Sequence, residues 1–539
     1  MALRAAISTA IPVVVGVAVG DLGAGLIATL GAFTARFGGG RPYPYRAVQL
    51  LMVAAALALS VAAGVWAAAD PLSGVAVVST VAVLAVWLCN ALTVGPPGAY
   101  VFVLACAAGI GVSASHLAPW QIGLLVFAGG VGAWLVQMSA LLAGRHGPEQ
   151  AAVRAAADAV AGFLDATAEP AARHRAATAL HHAWGVLVDF QPGGNRPGDV
   201  VARLRAANHA LHVLFADALT APPPAGAAEL ARRIGAGTAD PAAVATRQVD
   251  RLPLGRPPVA VLLRQAVQVG SHTRRVMARV AVGVPLAGLG AAAFGVDRAY
   301  WAMAAAVLVL HQGADLVRTV RRGAERLLGT WIGLGVAALV LLTHPHGLAL
   351  AAVLAVLTFV IELLVVRHYA LASVFITASA LTIATGVRQV DVGHLLLSRG
   401  LDTLIGCAVA VAVYLVLARR QEHRRLDDAL SATLDAVVEG MQALAAGDAA
   451  SLAVRRRRRE LQRSVLELVE AAEAARAGSP AQRTAERALW PSVVAAEHLA
   501  YRTIAAFWAA EHTGAAVPAG AVADIEAEVA QLRTAPRGR

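Results

Sequence analysis

Lysine is absent from the 539 residues, so all 45 basic side chains are arginine. No GxxxxGK loop can therefore exist, and the ordinary ATP-binding phosphate cradle is excluded. Cysteine is scarce: Cys89, Cys106 and Cys407 each sit in an apolar run, which suits small core residues and rules out the spaced framework of a disulfide-stapled secreted domain. No HExxH and no GxSxG is present, nor a GxGxxG between a strand and a helix. No enzyme active site and no cofactor site is legible. What remains is apolar, with 58% hydrophobic residues, a mean hydropathy of +0.64 and a formal charge of +11. Such a composition describes a polytopic membrane protein with basic soluble parts.

The opening MALRAAISTAIPVVVGVAVG has a charged head and an apolar run but no convincing cleavage site, and reads as an uncleaved first span. Apolar windows fall near 5–20, 22–35, 47–69, 74–93, 99–113 and 120–143, and again near 276–294, 299–316, 325–343, 347–366, 369–386 and 400–418. A polar, helix-patterned stretch follows each set, with apolar residues at three and four spacing. Pro222 to Pro224 and Gly478 to Pro480 break the two stretches. Single residues repeat as well: Asp21 with Asp297, Arg46 with Arg326, Tyr100 with Tyr369, and AANHALH at Ala206–His212 with AAEHLAY at Ala495–Tyr501. The expected fold is an all-α polytopic membrane protein of about twelve transmembrane helices, arranged as two parallel six-span repeats. Its segments are a first six-span bundle (1–144), a first cytoplasmic helical domain (145–275), a second six-span bundle (276–418) and a second cytoplasmic helical domain (419–539).

Arginine placement sets the expected orientation, because short cytoplasmic loops retain positive charge. Arg36, Arg41, Arg46, Arg145, Arg318, Arg321, Arg322, Arg326, Arg367, Arg419, Arg420, Arg424 and Arg425 lie on one side, and only Arg298, Arg388 and Arg399 on the other. The expected location is the plasma (inner) membrane, with both soluble domains and both termini cytoplasmic.

The second window of each half is short or interrupted: Leu22–Ala35 runs into Arg36 and GGG, and Trp301–Leu310 into HQGAD. Short, Gly-interrupted spans at matching positions point to a transporter's binding cavity, where backbone freed from helical pairing can meet a ligand. The competing reading is an ordinary tilted helix, Tyr300–Val317, with His311 and Asp315 at the interface. Arg318, Arg322 and Arg326 follow at four-residue spacing with Arg321 beside them; they either focus anions at a cavity mouth or anchor the loop against anionic lipid. Within the apolar runs the ionisable residues Glu362 and Asp402 are candidates for proton coupling, with Asn90 and Gln121 as uncharged counterparts in the first half. The plainer alternatives are an ion pair of Glu362 with a nearby arginine and a local pair of Asp402 with Arg399. RRRRRE at Arg455–Glu460 lacks interleaved aromatics and reads as a solvated or membrane-surface face; a nucleic-acid site is not expected. HPH at His344–His346 has no Cys or acidic group beside it and makes a poor metal site.

The stretch YWAMAAAVLVLHQGADLVRTVRRGAERLLGTWIG, Tyr300–Gly333, resembles the fusaric acid resistance family, which includes bacterial aromatic acid exporters. The YW pair, Arg318 and Arg322, and the RxxGTxxG form at Arg326, Gly329, Thr330 and Gly333 carry the resemblance. The first half departs from it, having neither the YW pair nor RxxGTxxG around Leu22–Arg46. The resemblance implies secondary efflux of small organic anions such as aromatic carboxylates, with Trp301, His311, Arg318, Arg321, Arg322, Arg326 and Asn90 as translocation candidates. Similar plant proteins conduct malate as channels, so a passive anion channel, working as a homodimer, is the alternative transport reading. Related exporters resemble systems with a periplasmic adaptor, which no segment here identifies, and a membrane scaffold without transport is the third reading.

Overall fold

The computed structural model describes residues 2–113, 117–167, 169–191, 199–244, 256–295, 299–312, 315–365, 367–387, 392–417, 419–446, 449, 451–514 and 517–534, and these contain helices and turns but no strand. Asp297, Arg298 and Arg388 lie outside them. Two compact units form: Met1–Gly39, Arg46–Ala143 and Pro257–Arg419 make an apolar unit, and Gly40–Tyr45, Gly144–Arg256 and Arg420–Arg539 a polar one.

The apolar unit begins with α1 (Ala2–Val19), α2 (Leu22–Ala28, continued by a 3-10 turn over Gly31–Arg36), α3 (Tyr43–Ala67), α4 (Pro71–Ala91), α5 (Tyr100–Val112) and α6 (Pro119–Met138). The polar helices α7 (Gly147–Asp165), α8 (Pro170–Trp184), α9 (Val200–Thr220) and α10 (Ala227–Ala236) intervene before α11 (Val259–Ala266) returns the chain to the apolar unit. There follow α12 (His272–Ala293), α13 (Tyr300–Gln312), α14 (Leu316–Leu342), α15 (Gly347–Leu364), α16 (Tyr369–Val387) and α17 (Val392–Leu417). Eight helices, α1, α3, α4, α6, α12, α14, α15 and α17, are long and apolar enough to cross a bilayer. Among the described residues α2 with its 3-10 turn, α5 and α13 are shorter, while α16 is of comparable length to α15. Exposed apolar side chains such as Leu59, Leu339 and Val356 cover the outer faces of the long helices, as lipid contact requires.

Local chemistry accounts for the short helices. The Asp315 carboxylate accepts a hydrogen bond from the Arg318 backbone N–H at 2.7 Å and caps a new helix, so α13 ends at Gln312 after 13 residues. At ~1.5 Å per residue that is about 20 Å, short of the ~30 Å hydrocarbon core. In the first half Asp21 caps α2 by accepting from the Ala24 N–H at 2.9 Å, and the 3-10 turn ends in Arg36. Gln137 on α6 donates to the Ala35 carbonyl at 3.0 Å and accepts from Arg46 on α3 at 2.6 Å, which fixes the end of that turn.

The RxxGTxxG stretch is a packing seam. A Cβ on Gly329 would come within 2.7 Å of the Ala370 carbonyl oxygen, and one on Gly333 within 2.6 Å of that of Val374, so only glycine lets α14 lie this close to α16. Packing between the halves is reciprocal: α1 lies on α15 and α12 on α4, while α2 meets α16 and α13 meets α5.

In the polar unit the two soluble stretches fold together around one core, although each was expected to form its own bundle. Val153, Leu180, Leu187 and Leu211 of the first stretch pack in one cluster with Leu434, Leu461, Val465 and Leu499 from α18 (Arg419–Ala446), α19 (Leu452–Arg476) and α20 (Pro480–Thr513), and with Ile525 of α21 (Ala519–Thr534). Alanine supplies much of each stretch's buried face, so joining the two sets of helices buries apolar area that neither would bury alone. The repeated AANHALH and AAEHLAY segments lie on α9 and α20, which pack together, with the rings of Phe215 and Tyr501 5.9 Å apart. The arginine run is a solvated face only in part: Arg456 and Arg457 are exposed, whereas Arg455 and Arg458 are buried. Arg458 is buried, pairs with Glu511 and lies 3.8 Å from the Trp508 ring centre, Arg459 pairs with Asp189 at 2.6 Å, and Arg457 pairs with Glu439 at 2.7 Å. A run of arginines on one helix turns charge to every side, including the inner one, and partners within the bundle take it up. His344 and His346 sit on an exposed turn, each with a ring nitrogen on a nearby backbone carbonyl, and no group of three metal-binding side chains occurs among the described residues.

Candidate functional site

The three short helices and α16 help to line a cavity of about 1290 Å³ within the apolar unit. From the first half come Leu30, Phe33 and Arg36 of the interrupted second element, Asn90 at the end of α4, and Tyr100 and Val101 at the start of α5. From the second half come Tyr300, Trp301 and His311 of α13, Glu362 of α15, Tyr369 of α16, Arg322 of α14 and Arg399 of α17. A helix too short to span leaves room at its end, and three such helices leave that room in the middle of the unit.

Arg399 is the focus of the site. It is 2% exposed, and its guanidinium lies 3.3 Å from the Trp301 ring centre, an arrangement that holds a planar cation by its attraction to the ring face. None of its three nitrogens has a hydrogen-bond partner among the described residues. Arg326, Asp402, Tyr100 and Tyr300 are within electrostatic reach of it. Arg326 is likewise buried; it donates to Ser373 Oγ at 3.4 Å and leans towards the Tyr369 hydroxyl without completing a hydrogen bond. Arg399 thus has both a second guanidinium and the Asp402 carboxylate within electrostatic reach, in a setting where desolvation makes an uncompensated charge costly.

The other charges on the wall are paired. Arg36 Nε meets Glu362 Oε1 at 2.8 Å, with 17% and 14% of the side chains exposed, which ties the end of the first half's interrupted element to α15. Arg322 meets Glu325 at 3.2 Å and lies 4.1 Å from the Tyr369 ring centre. His311 sits against the loop before α5, and its Nδ1 has no partner within the protein.

Residues 286–413, which contain α13, the glycine seam and Arg399, match the family model described as fusaric acid resistance protein-like. This stretch of the second half is thus similar to the fusaric acid resistance-like family. The chain is also 26% identical to the uncharacterized membrane protein YvaC of Bacillus subtilis over 94% of its own length and 85% of that protein's. An uncharacterized Synechocystis protein is 34% identical over 24% of the chain and 17% of its own length. No solved structure matches.

Of the residues singled out from sequence, the structure places Asn90, Trp301, His311, Arg322 and Glu362 on the cavity wall. It separates the arginine strip. Arg321 is 77% exposed on Glu325, Arg318 pairs with the capping Asp315 at 3.3 Å, and Arg326 is buried against α16. Asp402 is fully buried one turn beyond Arg399. Arg399 itself was assigned by charge counting to the loops opposite the arginine-rich side, yet it lies inside the unit. The rule that singles out Asp402, an ionisable residue within an apolar helix, applies equally to the arginine three residues before it. Tyr100, Tyr300, Tyr369 and Arg36 are further wall residues that hydropathy does not distinguish.

Proposed function

We propose that this protein is a secondary exporter of small organic anions, aromatic carboxylates among them, that works as two parallel six-helix repeats in the plasma membrane, with the polar unit and both termini in the cytoplasm. The observation that carries the reading is Arg399, a buried cation on the cavity wall whose donors have no partner among the described residues. The short second helix of each half and the reciprocal packing of the halves support the repeat. The arginine asymmetry supports the orientation.

In this mechanism an anion enters the cavity, exchanges hydration for the Arg399 donors, and crosses as the two halves shift about it. Glu362 is the coupling carboxylate: an anion competing for Arg36 releases it, and a released carboxylate can take a proton. A passive channel is the second reading, favoured by the fact that Glu362 is already neutralised by Arg36.

The test is uptake of radiolabelled aromatic carboxylates into inverted vesicles with and without an imposed pH gradient. Gradient-driven uptake that disappears in Glu362→Gln is the expected result. Uptake indifferent to the gradient selects the channel, and no uptake across a broad anion panel refutes both.

A further inference from the structure

Tyr100 and Tyr369 open α5 and α16, the fifth apolar helices of the two halves, and both line the cavity. Both hydroxyl oxygens are buried; that of Tyr100 has no hydrogen-bond partner among the described residues, and that of Tyr369 lies beside the Arg326 guanidinium without full hydrogen-bond geometry. Native proteins seldom leave buried hydroxyls unpaired, and here two at equivalent positions of the chain are in electrostatic reach of each other and of Arg326. Tyr100 is also within reach of Arg399, whose three nitrogens have no partner among the described residues. All these groups can donate, while the guanidinium cannot accept. Their common partner is therefore rich in acceptors and negatively charged.

We propose that Tyr100, Tyr369 and Arg399 form a carboxylate cradle, in which each half supplies one phenolic donor and Arg399 the charge. The inference rests on the transport reading and specifies its recognition chemistry. A carboxylate has two equivalent oxygens with about four acceptor sites, which suits two hydroxyls and a guanidinium fork arriving from different helices. The aromatic rings here serve another purpose: Arg399 covers a face of Trp301 and Arg322 a face of Tyr369. Those rings orient cations, so the cradle recognises the acid group rather than an aromatic ring. Benzoate and cyclohexanecarboxylate should bind alike, and benzamide should not compete.

The experiment is calorimetric titration of the full chain in nanodiscs with benzoate and cyclohexanecarboxylate, comparing the unmutated protein with Tyr100→Phe, Tyr369→Phe, the double variant and Arg399→Gln. Each single tyrosine change should weaken both acids by roughly tenfold, the double by more, and Arg399→Gln most of all. A tyrosine ultraviolet difference spectrum on adding cyclohexanecarboxylate to the unmutated protein should report new phenol hydrogen bonds, a readout independent of how the variants fold. If both acids bind, Arg399→Gln loses them, and either tyrosine variant stays within twofold of the unmutated protein, the cradle is overturned while the anion site stands. If the unmutated protein binds neither acid and transports no anion, both fall.

Discussion

The Arg36–Glu362 pair gives the sharpest test of how the two halves communicate. The side chains meet at 2.8 Å and are mostly buried. With charge centres roughly 4 Å apart and an effective dielectric near 20, the Coulomb attraction is about 4 kcal/mol, from which desolvation subtracts a large share. A net coupling of about 1–2 kcal/mol remains, above the range of exposed surface pairs. The assay is a double-mutant cycle on thermal unfolding of the detergent-solubilised chain with Arg36→Gln, Glu362→Gln and both. Each single change should destabilise, and the double should cost less than the sum. Additivity within about 0.5 kcal/mol would show that the contact joins nothing, and the competition mechanism for releasing Glu362 would go with it. The same Glu362→Gln protein, run in the vesicle assay, should retain anion flux but lose its response to the pH gradient.

Other consequences are equally direct. Arg399→Gln should reduce anion affinity by about a hundredfold, and Arg399→Lys by about tenfold because it keeps the charge but loses the planar fork and the stack on Trp301; equal losses in concentration-dependent uptake would refute this division. Gly333→Ala places a methyl 2.6 Å from the Val374 carbonyl oxygen and should cost about 1–3 kcal/mol in a melting experiment, whereas Gly335→Ala, with nothing within 4 Å, should be neutral. In the polar unit, burial pushes the His212 imidazole down to about 3. The unfolded chain therefore binds the extra proton between about pH 6.5 and 3, and stability should fall as pH drops through that window, by at most ~1.4 kcal/mol per unit. His212→Phe should flatten the slope between pH 7 and 5, with Trp508, whose ring centre lies 4.6 Å from that of His212, as the fluorescence reporter.

What was legible in the sequence is what one helix decides alone. Apolar windows mark helices because lipid allows no unsatisfied backbone, and the interrupted windows Leu22–Ala35 and Trp301–Leu310 already mark α2 and α13 as short. What was hidden depends on which distant side chain comes to meet a residue. The arginine run of α19 reads as a surface until Glu511, Trp508 and Asp189 arrive from other helices. Arg399 reads as a loop charge until α13 brings Trp301 against it.

The matched pair Arg46 and Arg326 shows the same limit within one fold. Sequence makes them equivalents, and both are buried, but Gln137 takes the Arg46 guanidinium and passes the constraint to the Ala35 carbonyl. Arg326 instead donates to Ser373 Oγ at 3.4 Å and leans towards the Tyr369 hydroxyl. One arginine therefore braces the interrupted element of its half, while the other leaves charge beside the tyrosines of the cavity. The RxxGTxxG seam belongs to the second half alone, and it is this seam that brings α16, with Tyr369 and Ser373, close enough for Arg326 to face them. The two halves share a similar outline, and it is the second that sets its arginine's charge beside Tyr100 and Tyr369 of the cavity.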